Sequence, residues 1–188
     1  MSEKSKYVLV ACLNPLVVGE EFEQVPPHIT VLPPFIMPDS KKEEFDRQFA
    51  EVAEDHLPIN FQTLQTEMFG QNNEIEVMPV STIDWGIFMG AFALAKRLQL
   101  DYDDTYHIKT SDSLDASHAL SFGSGEEVDT CGGEICLKTN RPHITDFQGV
   151  INPGERKQLF DVQLFSYRSI GKRVVSIYRN NMFDYDEE

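Results

Sequence analysis

Four residues stand out as suited to chemistry: His28, Thr30, His143 and Thr145. They belong to one word written twice, Pro27-His-Ile-Thr30 and Pro142-His-Ile-Thr145, in a chain with only five histidines. On an extended strand, residues i and i+2 share a face. His28 and Thr30 therefore project together with Ile29 behind them, and the same holds for His143, Thr145 and Ile144. Two such strands side by side would collect two imidazoles and two hydroxyls around one cleft. Hydrolysis of a phosphodiester needs a base for the attacking water and an acid for the departing sugar oxygen. Imidazole suits both tasks because its pKa lies near 6.5. Threonine hydroxyls can hold non-bridging phosphate oxygens as charge develops on them. Such a site requires no metal and no cofactor. Which histidine is base and which is acid stays open at this level.

The elements that must position these residues follow from local pattern. Tyr7–Leu13 is an apolar run of strand length, ended by Asn14-Pro15, and residues 14–27 read as a loop. The first motif strand is expected from His28 to Leu32, stopped by Pro33 and Pro34. Asp39 or Ser40 suits an N-cap, and Phe45, Phe49, Val52 and Ala53 recur at helical spacing, so a helix is expected over 40–56. His56 near its end reads as a surface residue. Strands are expected at Ile59–Met68 and Glu74–Pro79, and a second helix at Thr82–Leu100. The second motif strand should run from His143 to about Phe147. Lys157–Tyr167 and Arg173–Arg179 alternate like a closing hairpin. Between the second helix and the second motif strand, 101–134 is a long acidic excursion in which Tyr106–Lys109 and Ala119–Phe122 are short strand candidates, followed by a further candidate at Ile135–Lys138. The fold class implied is α+β and bilobal: two pseudo-symmetric antiparallel-sheet lobes with flanking helices facing a central cleft. Residues 1–183 form one such domain, and 184–188 an acidic tail.

Composition narrows the partners. The 188 residues carry a formal charge of −15 and are 41% hydrophobic, enough for a core without staples. A protein that tracks a long nucleic acid normally presents a basic face, so a small nucleotide or an RNA end is the easier substrate. The three cysteines form no paired pattern, and neither a signal-peptide layout nor an apolar run near the roughly 20 residues of a membrane span is present. The expectation is a soluble cytoplasmic protein with no membrane partner.

The paired His-x-Thr words resemble those of the 2H phosphoesterase superfamily, which includes the bacterial RNA 2′,3′-cyclic phosphodiesterases, also called 2′-5′ RNA ligases. The wider segment Pro26–Phe35 is similar to a His-Ile-Thr-Leu-x-Pro-Pro-Phe form found in that family, and the element order from Tyr7 to about Arg179 follows it. The resemblance implies a metal-independent phosphoric diester hydrolase acting on a cyclic 2′,3′- or a 2′-5′-linked phosphodiester. His28 and His143 would be catalytic, and Thr30 and Thr145 would bind substrate. The chain departs from the pattern at Asp146, where a hydrophobic residue is more usual and where alternation would aim the carboxylate away from the cleft. The acidic 101–134 stretch has no counterpart.

Supporting cations could come from Lys138, Arg141, Arg168, Lys172 and Arg173, and Phe35 or Tyr167 could stack on a base if they are not core. Two other classes compete. His107, Asp112 and His118, with His28 or His143, could assemble a divalent metal site, although their spacing matches no dedicated motif. Alternatively the cleft could be a binding module that holds a nucleotide or RNA end without turning it over.

Overall fold

Strand β1 (Lys4–Cys12) is apolar from Tyr7 to Cys12 and buried throughout that stretch, as a strand flanked on both sides must be. A computed structural model describes residues 2–69, 75–82, 85–102 and 142–181. β1 pairs antiparallel with β3 (His28–Pro38). The Pro33-Pro34 pair does not stop β3 as expected; the strand runs six residues beyond Leu32. Register explains the tolerance. Leu9 opposes Leu32 and Tyr7 opposes Phe35, so Val8 alone faces Pro33 and Pro34 in a bulge. A bulge leaves residues out of the ladder, and there a missing N–H costs little. A second irregularity leaves Val31 extra between Thr30 and Leu32, and both Val31 and Leu32 are buried.

The remaining strands extend from this pair. They are β2 (Glu21–Phe22), β4 (Ile59–Thr63), β5 (Glu67–Phe69), β6 (Ile75–Thr82), β7 (Asp101–Tyr102), β8 (His143–Ile144), β9 (Arg156–Leu159), β10 (Asp161–Tyr167) and β11 (Lys172–Arg179). The order across the sheet is β2-β11-β10-β1-β3-β8-β6-β4-β9, with β5 on β6 and β7 on β3. Every pairing among the described residues is antiparallel. The second motif strand is shorter than expected. Asp146 takes a positive φ of 53° and turns the chain, a conformation aspartate tolerates better than most residues. The expected Lys157–Tyr167 strand is two strands. It breaks at Phe160, with β9 paired to β4 and β10 paired to β1 and β11. Strands so far apart in the order, joined by one residue, require the sheet to curl strongly. The expected segments 106–109, 119–122 and 135–138 and the tail 184–188 lie outside the described residues.

Two helices pack on one face of the sheet. α1 (Lys42–His56) buries Phe45, Phe49 and Ala53, and α2 (Gly86–Arg97) buries Ile87, Phe88, Ala91, Leu94 and Ala95. The expected side-chain cap at Asp39 or Ser40 is absent. A 3-10 turn, Asp39–Lys41, leads into α1, and Asp39 instead accepts a hydrogen bond from Ser5 Oγ at 2.9 Å. Gly86 and Gly90 lie one helical turn apart where α2 meets α1. A Cβ on Gly90 would sit 2.4 Å from Val52 Cγ1, and one on Gly86 would overlap the His56 ring. Glycine thus sets how closely the helices approach. Asp46 of α1 accepts hydrogen bonds from Ser176 and Tyr178 of β11, and Lys42 donates to Ser176 at 2.7 Å, pinning helix to sheet. Among the described residues the result is an α+β fold, a mostly antiparallel sheet with two helices. Its main core contains Ile29 and Ile144 among the helix residues, and a smaller cluster of Val8, Val10, Cys12, Leu16, Phe165 and Val174 lies on the other face.

Candidate active site

The two motif strands are neighbours. β3 and β8 pair antiparallel with Ile29 opposite Ile144. That register sets His28 beside Thr145 and Thr30 beside His143. Cross-strand partners share a face, so His28, Thr30 and His143 stand together on the face away from the helices, with Thr145 in the bend just past β8. The two isoleucines are fully buried on the helix side, while all four site residues are partly exposed. The flanking strands complete the floor: Cys12 opposes His28, Val10 opposes Thr30, and Pro79 opposes His143. The pairing joins segments more than half the chain apart.

His28 is the better defined imidazole. Its Nδ1 lies 2.7 Å from the carbonyl oxygen of Pro26. A carbonyl can only accept, so Nδ1 carries the proton and donates it. The neutral ring then presents the Nε2 lone pair. Burial pushes the His28 pKa below its ordinary value; the Pro26 bond opposes this, the His143 charge adds to it, Asp146 opposes it and Lys172 adds to it. The net direction is downward, which favours the neutral, proton-accepting form near pH 7.

Cys12, directly across from His28, raises a different chemistry, a thiolate activated by imidazole. Burial excludes it, because the thiol is pushed up to about 12 and stays protonated. Cys12 serves as packing, and its amide N–H donates to Gln163 Oε1 at 2.9 Å.

Asp146 does not behave as strand alternation suggests. Its positive φ ends the alternation, and its exposed carboxylate is felt at His28. Of the candidate cations, Lys172 is felt at His28 as well. Arg173 is committed to Glu21, with its Nε donating at 2.7 Å. Arg168 is exposed at the β10–β11 turn. Lys138 and Arg141 lie outside the described residues, as do His107, Asp112 and His118 of the metal reading. Among the described residues no three potential metal ligands cluster. Phe35 is fully buried core, stacked on Tyr7 and tilted against Phe45. Tyr167 is partly exposed, with the Lys6 and Lys172 ammonium groups 4.4 and 5.0 Å from its ring centroid. The sequence reading missed the Pro26 carbonyl and the floor residue Cys12. The Pro26-Pro27 pair before His28 was the one available signal for the first, because it holds the approach extended.

No helix among the described residues is long and apolar enough to cross a membrane. No family model matches the chain, and no curated protein matches it. Among solved structures it is similar to a crystal structure of E. coli LigT complexed with NADP+, at 12% identity and a TM-score of 0.43, covering 94% of this chain and 98% of that one. A likeness at that level carries no argument about what this chain does.

Proposed function

We propose that this face of β3 and β8 is a metal-independent phosphodiesterase site, acting on a cyclic 2′,3′- or a 2′-5′-linked phosphodiester of a small nucleotide or RNA end. The observation that supports the reading is the register of Ile29 on Ile144, which brings the two motif strands side by side. In this reading His28 is the base in the hydrolytic direction. Its Nδ1–H is held by Pro26, so Nε2 takes a proton from the attacking water. The water oxygen bonds to phosphorus as the bond to one ribose oxygen breaks. His143 has the complementary task of protonating that oxygen. Thr30 and Thr145 donate hydrogen bonds to the non-bridging oxygens, whose charge grows toward the transition state.

The chain is read on the same grounds as a divergent 2H phosphoesterase working in the cytoplasm. The same reading treats the strands on either side of the β3–β8 pairing, β2-β11-β10-β1-β3 and β8-β6-β4-β9, as two lobes that would face a central cleft. The test is incubation with 2′,3′-cyclic nucleotides and 2′-5′ dinucleotides in excess chelator. The expected result is a phosphomonoester product from the wild type and none from His28→Ala or His143→Ala. Wild-type binding without turnover of any of these substrates would replace the enzyme by a nucleotide-binding module.

A further inference from the structure

Gln163 is a polar side chain where packing asks for none. It lies on β10 with no exposure at all, and on the site face, since it opposes Val10 and Val10 opposes Thr30. Its neighbours there, Val10, Cys12 and Phe165, belong to the smaller apolar cluster. The amide is only half used. Oε1 accepts from the Cys12 N–H at 2.9 Å, while Nε2 has no hydrogen-bond partner among the described residues. A backbone N–H can only donate, so the amide cannot be turned the other way round. A buried donor left unpaired destabilises the fold, and methionine would fill much the same space without one. What glutamine supplies and methionine lacks is the acceptor for Cys12.

That acceptor sits at a gap in the sheet. The β1–β10 ladder ends with Val10 opposite Gln163, although β10 still pairs with β11 as far as Asp161 opposite Arg179. Beyond Val10, β1 is therefore held on that side by the Gln163 side chain rather than by a strand. On its other side the same stretch carries the first motif. Cys12 opposes His28, the Leu13 N–H donates to the Pro27 carbonyl at 3.0 Å, and the Pro26 carbonyl accepts from His28 Nδ1.

We propose that Gln163 is a positioning residue for His28: it fixes the end of β1 at Cys12, and through it the Pro26–His28 segment that keeps the proton on Nδ1 and leaves Nε2 to accept one. The inference deepens the site reading above and rests on it for its effect on turnover. Its effect on the ring itself is measured separately.

The test uses the full chain with two substitutions. Gln163→Met removes the acceptor and the unpaired donor together. Gln163→Glu places a carboxyl that burial keeps neutral and that accepts at the same reach. Three quantities are read: the thermal midpoint, the His28 tautomer, and kcat and KM on a 2′,3′-cyclic nucleotide. The tautomer comes from the ring nitrogen chemical shifts of isotope-labelled histidine, the His28 signals being those lost in His28→Ala. Gln163→Met is expected to keep or raise the midpoint and to let the His28 proton exchange between Nδ1 and Nε2. Its kcat should fall about 10- to 100-fold, the scale of a small displacement of a reacting group, with KM little changed. Gln163→Glu should restore the fixed tautomer and most of the turnover. A Gln163→Met protein that keeps the wild-type tautomer, or that loses midpoint instead, would overturn the proposal, as would a loss that Gln163→Glu does not restore. A wild type that cleaves no phosphodiester, yet loses its fixed tautomer in Gln163→Met, would overturn the site reading and leave the positioning of His28 standing.

Discussion

The two faces of β3 and β8 differ by a single residue step and do opposite work. On one face Ile29 and Ile144 meet with no exposure at all, against α1 and α2. On the other, His28, Thr30, His143 and Thr145 remain partly open above a floor of Val10, Cys12 and Pro79. The apolar face places the polar one: because Ile29 and Ile144 lock into a fully buried pair, the register cannot slip, and a slip of one residue would send the imidazoles into the core. The contrast also separates two kinds of failure, loss of chemistry without loss of fold and loss of fold that takes the chemistry with it.

The largest effect should come from the polar face. His28→Ala and His143→Ala should each lower kcat by roughly 10²- to 10⁴-fold while leaving the thermal midpoint close to wild type. A histidine variant that turned over like wild type would break the comparison. The apolar face should respond in reverse. Ile144→Ala should cost about 2–5 kcal/mol of stability in urea unfolding, with kcat per folded molecule reduced only as far as the register loosens. If Ile144→Ala were neutral in stability, the bridge would not be what holds the two motif strands together.

Thr30→Val and Thr145→Val remove one hydroxyl each at similar volume. Each should cost about 10- to 100-fold in kcat, the scale of a hydrogen bond to a charged group, with little change in KM. A loss confined to KM would mean that the hydroxyls hold the ground state rather than the transition state. The smallest and sharpest test is electrostatic. A base with a depressed pKa loses activity as the pH falls through that pKa. Lys172→Met removes a charge that pushes His28 down and should move the acidic limb of the kcat/KM profile to higher pH. Asp146→Asn removes a charge that pulls His28 up and should move it to lower pH. Limbs that stay together in both variants would assign the titration to a group other than His28.

How much of this could be read from residues alone follows from the range of the interactions. Which side chains share a face is strictly local, because the strand period of two needs no partner, so the shared face of His28 and Thr30 was legible, while the bend after Ile144 takes Thr145 out of that argument. The partner of each strand was not: Ile29 on Ile144 and Cys12 across from His28 are pairings between separate segments that leave no mark in either one. The end of β3 was misread for the same reason. Pro33 and Pro34 break an isolated strand, but β1 supplies a bulge opposite Val8 that absorbs them. Phe160 looks like one more alternating residue until the sheet's curl makes it the crossing point between β9 and β10. Asp146 showed itself as an unusual residue, while its positive φ is a property of the turn. The helices were legible by periodicity, and their close crossing was foreshadowed only by Gly86 and Gly90.

The single bridge between β3 and β8 has a consequence for how the molecule comes into being. It closes a loop longer than half of the 188-residue chain, and contacts of that span form late because chain entropy is lost before they return any stabilisation. During synthesis, β1 and β3 can pair with α1 behind them well before residues 143–145 emerge. A nascent or prematurely ended chain would thus hold His28 and Thr30 in place with no second imidazole opposite. Activity would switch on late and all at once, when the C-terminal segment threads between β3 and β6. Stopped-flow refolding with a fluorogenic cyclic phosphate should then show hydrolysis lagging behind the recovery of helical signal.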